Sequence, residues 1–145
     1  MVGSKQGFFS TQVTVRMGDA DLHDRVYLSR FFQWSHQAFE DLLVAGGDRL
    51  DRAFNEEGWG MPLVHAETTV HGAVGFPDTL EVRLSIERVG TRSLTMCFDF
   101  IDKGDEHVAS TRLIHTFAPL DGLAKSIEVP SRLLSVFERL GLLPG

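Results

Sequence analysis

Two neighbouring stretches restrict the fold of this chain more than anything else in it. TLEVRLSIERV at 79–89 and RSLTMCFDFI at 92–101 alternate apolar and polar residues, with only Gly90 and Thr91 between them. Successive side chains on a strand point to opposite faces. Leu80, Val82, Leu84 and Ile86 therefore share one face, and Leu94, Met96, Phe98 and Phe100 continue it on the next strand. Glu81, Arg83, Ser85 and Glu87 line the other face. A turn this short makes the two strands antiparallel. The pattern extends in both directions. MPLVHAETTVHGAV at 61–74 runs into a turn-like GFPD at 75–78, and KGDE at 103–106 runs into HVASTRLIHTFAPL at 107–120. The result is an antiparallel meander with one strongly apolar face.

That face needs a cover, and residues 28–45 supply it. Phe31, Phe32, Ala38, Phe39, Leu42 and Leu43 recur at helical spacing, and Trp34 broadens the apolar surface until the helix is nearly apolar all round. Gly46-Gly47 ends the helix. Ahead of it, QVTVRM at 12–17 alternates as a first strand, with Val13, Val15 and Met17 on one face. Residues 48–58 read as a short helical or irregular connection. PSRLLSVFERLGLL at 130–143 reads as a closing helix with Pro130 at its first position. An apolar helix and a one-faced sheet bury each other only if the sheet curls around the helix. This α+β architecture is the hot-dog fold, expected here as a single domain over 1–145. Its open sheet edges favour a homodimer or homotetramer with sites at the subunit interfaces.

A formal net charge of -6 argues against non-specific binding to nucleic acid or to an anionic membrane, which needs a basic face. No apolar run approaches membrane-spanning length, and MVGSKQGFF at the N-terminus lacks the core of a signal peptide. A cytoplasmic location is expected. Cys97 stands alone, so it forms no internal disulfide, and no role is assigned to it. His65 and His71 fall on one strand face with no third ligand at metal spacing, and no metal is expected.

The segment most charged with chemistry is GDADLHDRVYLSRFFQWSH at 18–36, which crowds Asp19, Asp21 and Asp24 against the start of the buried helix. A carboxylate there can cap the helix, or it can act on a substrate held at the helix N-terminus. The residues alone leave both readings of Asp21 open. Asp24 is a second candidate for the N-cap, which would free Asp21 for chemistry, and Asp19 reads as a turn residue. His23 either orients Asp21, touches substrate or faces solvent. Tyr27, Phe31 and Phe32 are expected in the core, where one could line a pocket, and His36 is expected as a hydrogen-bonded core histidine. Arg88 and Arg92 flank the 90–91 turn, either solvated or gripping phosphate.

V-R-M-G-D-A-D at 15–21, V-Y at 26–27 and F-x-x-W at 31–34 resemble the lead-in segment of the 4-hydroxybenzoyl-CoA thioesterases. The resemblance continues through P-L-V-H-A at 62–66, G-T-R-S-L at 90–94 and I-E-V-P at 127–130, so it covers roughly 15–130. It implies a hot-dog acyl-CoA thioesterase with Asp21 as the catalytic carboxylate and the Leu28 backbone N–H holding the oxyanion. Arg92, with Arg88 beside it, is implied at the CoA phosphates, and Tyr27 and His23 complete the candidate substrate-binding set. Where the family carries small residues after the aspartate, this chain has Leu22-His23-Asp24, and Leu28 can offer only its backbone. H-Q-A-F-E at 36–40 and P-L-V-H-A look similar to relatives that hydrolyse 1,4-dihydroxy-2-naphthoyl-CoA, which implies an aromatic acyl group. Coenzyme A is then part of the substrate and no cofactor is expected. Two alternatives remain at this point: a thioesterase for carrier-protein-bound polyketide or fatty acyl chains, and a non-catalytic acyl-CoA-binding module.

Overall fold

The computed structural model describes residues 7–122 and 125–145; the first six residues of the N-terminal segment read for a targeting signal lie outside them. The strands are β1 (Phe9–Thr14), β2 (Trp59–Gly60), β3 (Leu63–Val70), β4 (Thr79–Val89), β5 (Ser93–Ile101), β6 (His107–Thr116) and β7 (Ala118–Pro119). Five of them form one antiparallel sheet in the order β1-β4-β5-β6-β3, and β2 pairs with β7. The alternation in β4 and β5 becomes a continuous apolar face. Leu84 lies opposite Phe98 and Val82 opposite Phe100, all fully buried.

Helix α1 (Leu28–Ala45) crosses this face and buries Phe31, Trp34, Ala38, Phe39, Leu42 and Leu43 against it. Phe31 meets Phe100 edge-on, with ring centroids 5.1 Å apart. Each such side chain contributes about 1.5–3 kcal/mol by leaving water. The sheet curves over one side of α1, with β1, β3, β4 and β6 all meeting it. Gly47, with φ of +86°, reverses the chain after α1, and the Asp48 N–H reaches back to the Leu43 carbonyl at 2.8 Å. Gly46 serves packing: a Cβ there would lie 2.5 Å from Val136 Cγ1 of α3 (Ser131–Arg139). The intervening helix α2 (Leu50–Glu57) and α3 are tied to the end of α1 through Arg132. Its guanidinium donates to both Asp48 oxygens at 2.6 and 2.8 Å and to Glu56 at 3.0 Å.

Several expectations change. Strand β1 stops at Thr14, and Met17 is exposed on a 3-10 turn that Asp19 closes by accepting the Arg16 N–H at 2.8 Å. Pro130 is the N-cap of α3 rather than its first residue. The larger correction concerns α1, which is one-sided. The single sheet covers only one flank, so Gln33, His36, Gln37 and Glu40 face outward. His36 is not a core residue; it is half exposed and pairs with Glu40 at 3.2 Å. Beside this open flank runs β3, an edge strand whose Leu63 and Val64 are 51% and 58% exposed.

Candidate active site

The chain enters α1 through a tight hairpin. Its base is fixed by the Tyr27 N–H donating to the Asp19 carbonyl at 3.0 Å and by a bridge between Ala20 and Val26. Asp19 is the turn residue the sequence suggested, and its Oδ1 also accepts from Arg30 Nε at 2.8 Å, locking the turn to the first turn of α1. Higher in the hairpin, Asp21 Oδ1 accepts the His23 N–H at 2.8 Å and the Arg25 N–H at 3.1 Å. Those two backbone donors, Arg25 first, hold the Asp21 carboxyl below the usual carboxylate range, and the group is fully exposed. Its Oδ2 makes no hydrogen bond among the described residues. Asp21 is thus an ionised carboxylate with one oxygen pinned and one free.

Asp24 is not the helix cap. It sits at φ of 57°, and its Oδ1 accepts the Phe76 N–H at 2.9 Å, so it fastens the hairpin tip to the 75–78 turn instead. The N-cap of α1 is Tyr27, and no side chain accepts a hydrogen bond there. The first turn is closed by the Arg30 N–H on the Tyr27 carbonyl at 2.9 Å. The Leu28 N–H has no partner among the described residues and lies at the positive end of the helix dipole. Tyr27 corrects the expectation of a core residue: it is exposed, with the Arg30 guanidinium 6.0 Å from its ring centroid. Met17, Leu22, Tyr27 and Leu28 form an exposed apolar rim around the hairpin. His23 is also exposed, and the group it offers Asp21 as a hydrogen-bond donor is its backbone N–H.

Arg88 and Arg92 lie elsewhere. Both are exposed at the β4–β5 turn, where Arg92 donates to Ser126 Oγ at 3.4 Å. The Asp21 hairpin is docked at the opposite end of the sheet, through Val26 on Val74 and Asp24 on Phe76. Strand β4 alone is 11 residues long, roughly 35 Å. Within one protomer the carboxylate and the two arginines therefore do not meet. His65 pairs with Glu67 and His71 packs on His107. Among the described residues no three of His, Cys, Asp or Glu come together in a way that could hold a metal ion.

One residue near α1 was missed altogether. A cavity of about 740 Å³ opens between the outward flank of α1 and strands β3 and β6, and His115 lines it. The two-residue alternation of β6 could have placed it, since His115 lies between the inward-facing Leu113 and Phe117.

Comparison with known proteins accounts for this layout. The family model of the thioesterase-like superfamily matches residues 15–137. A 1,4-dihydroxy-2-naphthoyl-CoA hydrolase of Prochlorococcus marinus (strain NATL2A) is 28% identical over 109 residues, covering 70% of each chain. The structure of a 1,4-dihydroxy-2-naphthoyl-CoA thioesterase from Synechocystis superposes with a TM-score of 0.81 at 22% identity, over 90% of this chain and 95% of that one. An aspartate-to-asparagine mutant of 4-hydroxybenzoyl-CoA thioesterase, complexed with 4-hydroxybenzoyl-CoA, superposes with a TM-score of 0.80 at 20% identity, over 89% and 97%. These structures share the hot-dog fold, and with the family match spanning both the hairpin and α3, the chain belongs to the thioesterase-like superfamily.

Proposed function

We propose that this chain is an acyl-CoA thioesterase that hydrolyses an aromatic acyl-CoA, of the hydroxybenzoyl or dihydroxynaphthoyl type, to the free acid and coenzyme A. The observation that carries the proposal is the pairing, in one hairpin–helix unit, of the ionised Asp21 with the uncapped start of α1. The relatives' substrates, both aromatic CoA thioesters, support the choice of acyl group. The Leu28 N–H would hold the thioester oxygen as negative charge develops on it. The free Asp21 oxygen would then either attack the carbonyl, expelling CoA thiolate and leaving a mixed anhydride for water to cleave, or take a proton from the attacking water. Thiolate leaves readily enough that both routes run without a metal or cofactor. The lone cysteine and a CoA substrate fit a cytoplasmic enzyme of one domain.

The proposal includes a homodimer, or a homotetramer built from it, paired through β3. An edge strand with exposed Leu63 and Val64 presents unpaired backbone groups beside apolar side chains, which a second copy can cover. A two-fold axis that pairs β3 antiparallel with its copy reverses one sheet against the other. The β4–β5 turn of the partner subunit then comes to the end where Asp21 lies, and Arg92, with Arg88, can meet the phosphates of a CoA whose thioester is at Leu28.

Asp21→Asn tests the chemistry. Asparagine keeps the Oδ1 acceptor for the His23 and Arg25 N–H groups but deletes the charge. Hydrolysis, followed as thiol release, should fall about 10²-fold or more with folding and binding retained. A folded variant with near-normal kcat would leave Asp21 as a loop-stabilising residue only.

A further inference from the structure

The cavity beside α1 has a chemistry of its own. Phe32, Met61, Leu63 and Leu113 give it apolar walls, the polar flank of α1 forms its other side, and His115 lines it with them. The imidazole belongs to a residue only 7% exposed, and its Nδ1 lies 3.0 Å from the Met61 carbonyl oxygen. A carbonyl oxygen can only accept, so Nδ1 carries the proton and Nε2 of the neutral ring is a bare acceptor. Burial lowers the pKa of His115, and the charge of the nearby His36 adds to this; the Met61 and Pro62 carbonyls oppose it without reversing it. The ring is therefore neutral at physiological pH. His36 and its partner Glu40 are the other titratable groups lining the cavity. Among the described residues no hydrogen bond ends on Nε2. Nε2 is not sealed from the cavity, so water or a ligand hydroxyl can donate to it there; an aromatic ring seated in the cavity excludes the water and leaves its own hydroxyl as the donor.

The cavity also lies where an acyl group has to go. Leu28, Phe32 and His36 are four apart and form one stripe on α1. Phe32 is about 6 Å and His36 about 12 Å along the axis from Leu28. A thioester carbonyl held at the Leu28 N–H lays its acyl group along this stripe, over Phe32 and into the cavity.

We infer that this cavity is the acyl subsite and that His115 is a specificity-determining residue, whose Nε2 accepts a hydrogen bond from a hydroxyl on the far side of an aromatic acyl ring. The inference rests on the acyl-CoA thioesterase reading and adds to it the chemical feature that the enzyme selects. A ring without the hydroxyl fills the same apolar walls but leaves Nε2 unpaired, which disfavours it about tenfold or more.

The test compares kcat/KM for 4-hydroxybenzoyl-CoA and benzoyl-CoA in the wild type, His115→Asn and His115→Gln. The Asn amide nitrogen stands where Nδ1 stood and keeps the bond to the Met61 carbonyl, with nothing at Nε2. The longer Gln places an amide oxygen near the Nε2 position. A wild-type preference of at least tenfold for the hydroxylated substrate is expected, collapsing towards unity in His115→Asn and partly recovered in His115→Gln. A purely structural histidine would lower both rates together and leave the ratio intact, which overturns the inference. If His115→Asn does not fold, the wild-type ratio decides, and a value below about threefold overturns it. Wild-type protein that hydrolyses no aromatic acyl-CoA sinks the thioesterase reading and this inference with it. Turnover with an unchanged ratio in the folded variant sinks this inference alone.

Discussion

Replacing Asp48 with Asn should cost this fold a measurable and pH-dependent part of its stability. Asp48 follows the glycine reversal after α1, and both its oxygens are held by Arg132 of α3. The two side chains are 9% and 20% exposed, so water screens the pair poorly. The Arg132 hydrogen bonds, aided by the Arg49 N–H, hold the Asp48 pKa at about 2 against an ordinary 3.8. A depressed carboxylate pKa stabilises the folded state above the unfolded value and loses that contribution as pH falls towards the folded value. The gap corresponds to about 2–3 kcal/mol at pH 7, and about half of it should remain at pH 3. Asn keeps the shape and one acceptor, and Arg132 keeps Glu56 at 3.0 Å, so the damage is confined to the lost charge. Urea or thermal unfolding of both proteins at one fixed concentration is the assay, since the proposed assembly would make stability concentration-dependent. At pH 7 the variant should melt roughly 5–10 °C lower, with the difference shrinking at pH 3. Melting within about 2 °C of the wild type at pH 7, or an equal gap at both pH values, would refute the reasoning.

Three further outcomes follow from the geometry. Arg92→Ala should raise KM for acyl-CoA several-fold with little change in kcat, because a remote phosphate contact binds ground and transition states alike; an unchanged KM that is also insensitive to salt would remove Arg92 from the binding site. Val64→Lys on β3, outside the acyl cavity, should give a monomer by light scattering and lose most activity, since charge on an edge strand blocks pairing; a fully active monomer would refute the interface. Gly75→Ala should destabilise the fold by about 1–3 kcal/mol and slow hydrolysis about tenfold. Its Cβ would lie 2.6 Å from Asp24 Oδ2 and 2.8 Å from the Asp24 carbonyl oxygen, pushing the tip of the Asp21 hairpin out of place; wild-type rates and melting would show the hairpin to be tolerant there.

How much of this was legible in the sequence depends on how local the cause is. Strands β4 and β5 could be read residue by residue because their alternation is unbroken and the turn between them is two residues long. Asp19 as a turn residue and the start of α1 at Leu28 both stand where the sequence put them, though the hairpin between them was not read. The role of Asp24 was not legible, because its partner is the Phe76 N–H, 52 residues away. The one-sidedness of α1 was hidden for another reason. Phe32, Leu28 and Val44 look like core residues in any count of apolar positions, yet Leu28 and Val44 are exposed and Phe32 is half-buried. A chain that assembles carries apolar surface for its partner as well as for itself, and composition does not separate the two. Distance was the third thing missing. Asp21 and Arg92 are joined in the sequence reading by chemistry alone, whereas the length of β4 sets them at opposite ends of the sheet. Each of these failures leads to the same place. The open flank of α1 and the apolar edge of β3 leave room for a second copy of the chain or for an unrelated protein. It is the proposed place of Arg92 at the CoA phosphates, at the far end of the sheet from Asp21, that asks for a partner carrying its own Arg92.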